Sequence, residues 1–502
     1  MGSVSTPNGW EQTTLGELIE IIMGQAPPGS DCNKVGTGTI FVKAGEFDAE
    51  RPIVREWTTQ PLKYAAHGDV LICVVGATAG KINLGIDCAI GRSVAALRPC
   101  NALEQHYLYY FLSSKVLTLR GDSTGSAQGV ISKDDLSQIA FPLAPLPEQH
   151  RIVAKIEELF SELDKGIENL KTAQAQLKVY RQALLKHAFE GKLTAQWRAE
   201  NQDKLETADA LLKRIQQERA QRYQQQLTDW QTNGGSKPKA PKPLPPLTAA
   251  ELAELPELPE GWVYVRAEEI AGFITKGTTP SKELLFDGRG EVPFIKVYNL
   301  TKTGFLDFSI DPTFVSSETH NGFLARSKVY PGDVLMNIVG PPLGKISIVP
   351  NTYPEWNINQ AIAIFRSDVI SNRLLAAYLA HEKTVRSMMR KSKATAGQFN
   401  LTLEICRETL IPLCGQDEQK ELELLIEAKL SEVEQLDQTL TTSLQQSEAL
   451  RQSILKKAFS GQLVPQDPHD EPASALLARI KAERAEIGNN AASPRRTKKV
   501  SA

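Results

Sequence analysis

Two glycine-rich segments that end in lysine are the first candidates for chemistry. They run Gly76-Ala-Thr-Ala-Gly80-Lys81 and Gly340-Pro-Pro-Leu-Gly344-Lys345. A nucleotide-binding loop needs four residues between its glycines and a Ser or Thr after its lysine, because that hydroxyl binds Mg²⁺. Here three residues separate the glycines, and isoleucine follows the lysine in both segments. The pattern therefore predicts a strand–turn–strand hairpin whose lysine can contact phosphate.

Other patterns with the spacing that catalysis requires are missing. The seven histidines include no His-Glu-x-x-His pair for zinc, and the six cysteines include no Cys-x-x-Cys pair. The Asn/Asp-Pro-Pro-Tyr/Phe segment with which amino-methyltransferases hold a flipped base is also absent. We therefore expect a non-catalytic chain with no metal site and no cofactor of its own.

Composition limits the class of protein. At 502 residues, the chain is long enough for two to four domains with cores of their own. No apolar run approaches the about 18 residues of a membrane-spanning helix, and the first residues lack the features of a signal peptide. With six cysteines and no close pair, this predicts a cytoplasmic protein. Because the net charge is only −2, a surface that binds nucleic acid would have to be local.

The two glycine–lysine segments belong to a larger internal repeat. Four residues recur 270 positions later, so that Pro142, Gln149, Ala188 and Gly191 are matched by Pro412, Gln419, Ala458 and Gly461. Further upstream, the segment 68–82 recurs as 332–346, and Trp10 recurs as Trp262. A repeat of this length indicates duplicated domains rather than a solenoid. It predicts two similar sites in one chain.

Each copy opens with a region of mixed helix and strand, which predicts an α+β fold. Each copy then ends in a long helix with an apolar seam at alternating spacings of four and three. The seam positions are Ile156, Phe160, Leu163, Ile167, Leu170, Gln174, Leu177, Arg181 and Leu184, and Ile426, Leu430, Val433, Asp437, Leu440, Leu444, Ser447, Arg451 and Ile454. This spacing of about 3.5 residues predicts that the helices pair as a coiled coil. The alternative is two amphipathic helices that each pack on their own domain.

A shorter helical segment follows each long helix, since 208–220 is similar to 473–485. The first leads through a linker to the second copy, whereas the last ends the chain. Joining the ends would give a circle with pseudo-two-fold symmetry, on which two identical partners could dock. The predicted regions are a globular domain at 1–144, a long helix at 145–192, a short helical segment at 193–228, a Pro- and Lys-rich linker at 229–258, a second globular domain at 259–412, a second long helix at 413–462, a C-terminal helical segment at 463–488 and a basic, disordered tail at 489–502.

Several segments resemble the specificity subunit of type I restriction-modification systems, along almost the full chain. They are Pro145-Leu-Pro-Glu-Gln149, Leu258-Pro-Glu-Gly-Trp262, the matching runs 184–196 and 454–466, and the run 476–484. Each is moderately specific, and their duplication in this order is strongly specific. The sequence departs from the family in its longer, proline-rich spacer and in Cys414-Gly-Gln-Asp-Glu-Gln419, which lacks the Leu-Pro found before Glu-Gln in the first copy.

The resemblance implies that each globular domain is a target recognition domain for one half of a split, asymmetric DNA site. It implies that the long helices pair antiparallel and that the chain itself has no active site. Two methyltransferase subunits would methylate adenine at N6 with S-adenosylmethionine, and two restriction subunits would use ATP and Mg²⁺. A stand-alone DNA-binding regulator and a coiled-coil protein scaffold remain as alternatives.

The residues that contact DNA are predicted from chemistry, because recognition domains differ wherever their targets differ. Phosphate contacts need Lys or Arg, and base edges are bound by Arg, Lys, Asn or Gln on exposed loops. The candidates are Lys43, Lys81, Arg92 and Gln128 in the first domain, and Lys276, Thr278, Lys296, Asn299, Lys345, Gln360 and Gln398 in the second. The pairs Lys81/Lys345 and Gln128/Gln398 recur in both copies, which favours backbone contacts over base recognition.

Overall fold

The computed structural model describes residues 7–122, 130–234, 237–238, 240, 244–301, 304–340, 342–392 and 400–491. Its contacts divide the chain into two units. Unit 1 comprises residues 1–172 and 440–502, and unit 2 comprises residues 173–439. Each unit therefore contains one globular domain and part of each long helix.

The strands and helices follow the chain in this order. The strands of unit 1 are β1 (Glu11–Thr14), β2 (Ile19–Met23), β3 (Cys32–Asn33), β4 (Thr39–Val42), β5 (Trp57–Thr58), β6 (Tyr64–Ala65), β7 (Val70–Cys73), β8 (Ile82–Leu84), β9 (Cys88–Ile90), β10 (Val94–Pro99) and β11 (Ala140–Leu143). Those of unit 2 are β12 (Val263–Arg266), β13 (Ala271–Lys276), β14 (Phe286–Asp287), β15 (Val292–Ile295), β16 (Thr313–Val315), β17 (Val334–Asn337), β18 (Ile346–Ile348), β19 (Asn357–Ile358), β20 (Ile362–Ser367) and β21 (Leu410–Leu413). The α-helices are α1 (Leu15–Leu18), α2 (Gln105–Asp122), α3 (Lys133–Ser137), α4 (Leu146–Phe189), α5 (Ala195–Glu200), α6 (Ala208–Asn233), α7 (Ala249–Ala253), α8 (Ala267–Ile270), α9 (Ser317–Asn321), α10 (Asn372–Leu379), α11 (Glu382–Lys391), α12 (Leu403–Arg407), α13 (Gln416–Ala458) and α14 (Ala473–Ala491).

The domain of unit 1 is built on two sheets. The first has the strand order β2-β10-β7-β8, and the second has the order β3-β5-β4-β9-β6. Strand β7 is apolar throughout because both of its faces are covered. Val70 and Ile72 face a core that the first sheet shares with the helices, whereas Leu71 and Cys73 face the core of the second sheet. A separate pair, β1 with β11, precedes the long helix α4.

The domain of unit 2 repeats this arrangement. Its sheets have the orders β13-β20-β17-β18 and β14-β16-β15-β19, and β12 pairs with β21. In β17, Val334 and Met336 belong to the core with the helices, and Leu335 belongs to the core of the second sheet. The predicted α+β fold with two similar domains is confirmed. The predicted hairpins are confirmed as well, because β7 pairs antiparallel with β8 and β17 pairs antiparallel with β18.

The long helices α4 and α13 run antiparallel within each unit. In unit 1, the guanidinium of Arg451 stacks on the ring of Phe160 at 4.3 Å and forms an ion pair with Asp164. In unit 2, Gln174 Nε2 donates a hydrogen bond of 3.3 Å to Asp437 Oδ1. Further along α4, Leu185 shares a core with Leu422 and Ile426 near the start of α13, so residue numbers rise along one helix as they fall along the other. The predicted antiparallel pairing is confirmed.

The apolar seam explains why these helices pair. All nine predicted seam positions of α4 are buried or half-buried, and so are those of α13 apart from Asp437. Most of the intervening residues from 157 to 183 are exposed, as a two-helix interface requires. Helix ends also pack on the domains, since Ile156 and Ile454 join the core of unit 1 and Ile426 joins that of unit 2. Both interpretations of the helices therefore hold in part.

The short helical segments pack on the two domains in the same way. In unit 2, Leu211 and Ile215 of α6 share a core with Trp262. In unit 1, α14 contributes Leu476, Leu477 and Ile480 to the core that contains Trp10. Gly191 and Gly461, both at positive φ, lie against Pro259 and Pro7, where an added Cβ would come within 2.5 Å of each proline Cγ. Helix α14, near the end of the chain, thus packs on the first domain as α6, in the middle of the chain, packs on the second. This is what the circular organisation predicts.

The predicted linker, residues 229–258, contains helical segments. Helix α6 continues to Asn233, and the short helix α7 forms within the linker. The Thr248 hydroxyl and the Glu251 carboxylate cap the first turn of α7 reciprocally. Arg266 then holds this segment on unit 2 by donating 2.8 Å to the carbonyl of Pro245 and 3.2 Å to Glu251. Among the described residues, no helix combines the length and apolar character needed to cross a membrane.

Candidate nucleic-acid interface

In unit 1, a tight turn follows the end of two parallel strands. Strands β4 and β9 are parallel, with Val42 opposite Ile90. The amide of Gly91 donates 2.9 Å to the carbonyl of Val42, and the amide of Val94 donates 2.9 Å to the carbonyl of Gly91. These bonds close the turn Gly91–Val94, and Arg92 is exposed at its tip. We name this turn the unit 1 tip turn.

Unit 2 has the same turn at the same place in its sheet. Strands β15 and β19 are parallel, with Ile295 opposite Ile358. The amide of Asn359 donates 3.1 Å to the carbonyl of Ile295, and the amide of Ile362 donates 3.2 Å to the carbonyl of Asn359. Gln360 is therefore the exposed tip residue of the unit 2 tip turn, Asn359–Ile362. Arg92 and Gln360 occupy equivalent positions.

A glycine brings a second loop against each tip turn. An added Cβ at Gly24, after β2, would lie 2.3 Å from the carbonyl oxygen of Gly91. At Gly277, after β13, it would lie 2.2 Å from the carbonyl oxygen of Asn359. A side chain cannot be accommodated at these distances, so glycine is required for the close approach. The next residues, Gln25 and Thr278, are consequently held beside the tips.

Lys43 and Lys296 also occupy equivalent positions, directly after the parallel strands β4 and β15. Lys43 forms an ion pair with Glu56, and this hydrogen bond raises the pKa of Lys43. The ammonium of Lys296 lies 3.6 Å from the carboxylate of Asp311. Burial lowers the pKa of Lys296, but contacts with Tyr298 and Asp311 outweigh it and raise the pKa overall. Both lysines are cationic at neutral pH, and both charges are balanced by carboxylates.

The second domain places several more polar groups at its tip turn. Arg326 donates a hydrogen bond of 3.1 Å to the hydroxyl of Thr278. The hydroxyl of Thr279 is hydrogen-bonded to the side-chain amide of Gln360. Lys276 is exposed at the end of β13, where the loop to the tip begins. Of the predicted residues, Thr278 and Gln360 thus lie at this turn, whereas Lys276 ends β13 and Lys296 directly follows β15.

Asn299 is buried, whereas the prediction assumed an exposed loop residue. Its side chain is only 1% exposed. Its Nδ2 donates 3.1 Å to the carbonyl of Asp307 and 2.8 Å to that of Ile310, and its Oδ1 accepts 2.9 Å from the amide of Lys296. The amide is fully used in closing the loop that follows β15. We therefore assign Asn299 to the framework that holds Lys296.

The surroundings of the glycine–lysine hairpins differ between the two units. Gly76, Gly80, Gly340 and Gly344 all have positive φ values between 74° and 82°, a conformation that glycine adopts without strain. Lys81 is half-buried, and its ammonium donates 2.8 Å to the carbonyl of Phe47. Equivalent residues in sequence thus have different surroundings, because Lys345 makes no side-chain hydrogen bond with the described residues.

The two remaining candidates, Gln128 and Gln398, lie outside the described residues. Sequence reasoning missed Gln25, Thr279 and Arg326, which the structure places beside the tips. Only Gln25 left a signal, because it aligns with Thr278 once the register of the repeat is allowed to drift. In the part of the chain that the structure describes, no three His, Cys, Asp or Glu side chains converge as a metal site requires.

Part of the chain matches a known family model. Residues 7–172 match the family model described as Type I restriction modification DNA specificity domain. The type I restriction enzyme EcoDI specificity subunit of Escherichia coli is 28% identical over 224 residues, which cover 43% of this chain and 50% of that protein. The chain thus matches half the length of this relative. The EcoKI specificity subunit of Escherichia coli (strain K12) is 23% identical over 439 residues, or 84% of this chain and 81% of that protein.

A solved structure shares the fold. It comes from a study of complex assembly and conformational transition of the type I R-M system, and it superposes with a TM-score of 0.65 at 19% identity. The match covers 91% of this chain and 99% of the other. Residues 7–172 thus match a type I restriction modification DNA specificity domain, and longer stretches of the chain are similar to the specificity subunits of type I restriction enzymes.

Proposed function

We propose that this chain recognises a bipartite, asymmetric DNA site, with one half read by the domain of each unit. The observation that carries the proposal is the duplication of one framework with different exposed side chains. Both domains hold a tip turn at the end of two parallel strands, but the tip residue is Arg92 in one and Gln360 in the other. A similar framework with different exposed groups is what two different half-sites require, because base edges are distinguished by the groups that meet them.

We further propose that two methyltransferase subunits bind the chain, one through each unit. In each unit, a long helix, a short helical segment and the globular domain share one core. One kind of partner would therefore meet the same surface twice. The methyltransferase subunits would carry S-adenosylmethionine and methylate adenine at N6. Two restriction subunits, with ATP and Mg²⁺, would complete the complex in the cytoplasm.

Domain exchange tests the proposed function. The chain is co-expressed with its methyltransferase subunit in a host without other adenine methylation, and N6-methyladenine is mapped across the genome. Residues 10–140 are then replaced by the first domain of another family member. We expect one half of the methylated motif to change and the other half to stay. Exchange of residues 262–410 should change only the other half, and a change of both halves in either experiment would contradict the modular proposal.

A further inference from the structure

We infer that Arg92 and Gln360 are equivalent base-reading residues, with Arg92 selecting guanine in one half-site and Gln360 selecting adenine in the other. The inference rests on the proposed function, because it assumes that the domains read DNA. It goes further in assigning one position of each half-site to one side chain. Three observations carry it: the identical turn geometry, the unequal freedom of the neighbouring side chains, and the chemistry of the two tip residues.

The backbone of the two tip turns is the same. Each turn starts after a strand that is parallel to its neighbour, and each is closed by a hydrogen bond between its fourth and first residues, of 2.9 Å in unit 1 and 3.2 Å in unit 2. Each is supported from behind by a glycine whose Cβ would clash with a carbonyl of the turn. The rigid support places the second residue of each turn outward. A rigid support is needed for a reading residue because misplacement would weaken a paired hydrogen bond.

The lysines beside the tips do not have the same freedom. Lys43 is tied to Glu56, and Lys296 lies against Asp311 and over the ring of Tyr298 at 5.5 Å. They are the same residue type in both domains, so they cannot distinguish two different half-sites. Arg92, by contrast, is exposed and makes no ion pair with the described residues. In unit 1, the tip side chain, whose residue type differs from that in unit 2, is therefore available.

The two tip residues have matching chemistry for different bases. An arginine guanidinium donates two parallel hydrogen bonds to O6 and N7 of guanine in the major groove. A glutamine amide donates to N7 of adenine and accepts from its N6 amino group. The bond from Thr279 fixes the rotation of the Gln360 amide, which selects between its donor and acceptor ends. The unit 2 tip is thus oriented before DNA arrives.

Reciprocal substitutions at the tips test this assignment in the complex with the methyltransferase subunit. Gln360→Arg should change one base pair of the half-site read by unit 2 from A·T to G·C, with a preference of about tenfold at that position. Arg92→Gln should make the opposite change in the other half-site. Gln360→Ala, which only removes the reading group, should relax the same position without creating a new preference. The readout is the methylated motif, mapped for each variant and for the wild type.

The outcomes separate the assignment from the proposed function. A methylated motif that is unchanged in Gln360→Arg and in Gln360→Ala, from a complex that still methylates, would overturn the assignment and leave the bipartite function intact. A change in the wrong half-site would overturn it as well. A wild-type motif with only one continuous part would overturn the proposed function itself, and the assignment with it. Because both tips are exposed, loss of folding is not expected, and the soluble yield of each complex checks this directly.

Discussion

In each unit, an ion pair joins the start of a long helix to the short helical segment packed against it. The charged partners are exchanged between the two units. In unit 2 the carboxylate belongs to the long helix, where Glu418 pairs with Arg198 and accepts 2.6 Å from the hydroxyl of Thr194. In unit 1 the cation belongs to the long helix, where Arg151 pairs with Asp470 at 2.7 Å. The same joint therefore tolerates reversed charges. The geometry of the joint, rather than the identity of its ions, is what the repeat preserves.

Because the charges are exchanged, the buried carboxyl of Glu148 in unit 1 lacks the arginine partner that Glu418 has in unit 2. Glu148 precedes Glu418 by 270 positions and is only 1% exposed. Its Oε1 accepts no hydrogen bond from the described residues. Burial raises the pKa of Glu148, although the indole of Trp10 and the guanidinium of Arg151 act in the opposite direction. Equivalent glutamates therefore have different surroundings: Glu418 has a cationic partner in Arg198, whereas burial disfavours the charged form of Glu148.

The largest effect is expected from removing the arginine of unit 2. Arg198→Met would leave the Glu418 carboxylate buried without a cation, and the free energy of unfolding of unit 2 should fall by about 3 kcal/mol. Arg198 also donates to the carbonyl of Gly191 and stacks on Trp262 at 6.0 Å, so these contacts would be lost as well. Hydrogen exchange of amides in unit 2 localises the loss to that unit.

The matched control is Arg151→Met in unit 1. The side chain of Arg151 is 36% exposed, and solvent weakens its attraction to Asp470. We expect a loss of no more than about 1 kcal/mol in unit 1. Equal losses from the two substitutions would show that burial does not distinguish the joints.

A smaller effect, of opposite sign, is expected at Glu148. Its folded-state pKa lies above its unfolded-state pKa, so the folded unit holds the proton more strongly and its stability falls as pH rises through that interval. Glu148→Gln removes this penalty and should stabilise unit 1 by about 1 kcal/mol at pH 8. The gain should vanish as pH falls below the unfolded-state pKa, about 4.3 for a glutamate, because the carboxyl is then protonated in both states. The measurement is the difference in melting temperature between variant and wild type across this range.

The substitution Glu418→Gln provides the comparison for Glu148→Gln. It should destabilise unit 2 at pH 8, because Arg198 would lose its charged partner. If both glutamine variants shifted stability in the same direction, the lack of an ion-pair partner for Glu148 would not explain the effect of Glu148→Gln.

The sequence predicted features that depend on a strict local periodicity. It did not predict features that depend on contacts between residues distant in the chain. The four–three spacing predicted the seam of α4 and α13, because the periodicity of a helix alone determines which of its residues share one face. Asn299 looked like an exposed loop amide, but its burial depends on loop closure around Asp307 and Ile310. The equivalence of Arg92 and Gln360 was hidden for another reason. Their types differ, and loop lengths shift their offset away from 270.

The smallest predicted effect concerns the duplicated glycine–lysine hairpins, which sequence alone treats as equal. Lys345→Ala should remove one phosphate contact, weaken all DNA sequences alike and reduce the slope of log affinity against log salt by about one unit. Lys81→Ala should change this slope less, because the ammonium of Lys81 is already bound to the carbonyl of Phe47. The measurement is the dissociation constant of the methyltransferase complex for duplex DNA at several salt concentrations. Equal slope changes for the two variants would mean that DNA binding breaks the Lys81–Phe47 bond, and that the hairpins contact DNA alike despite their different surroundings in the free chain.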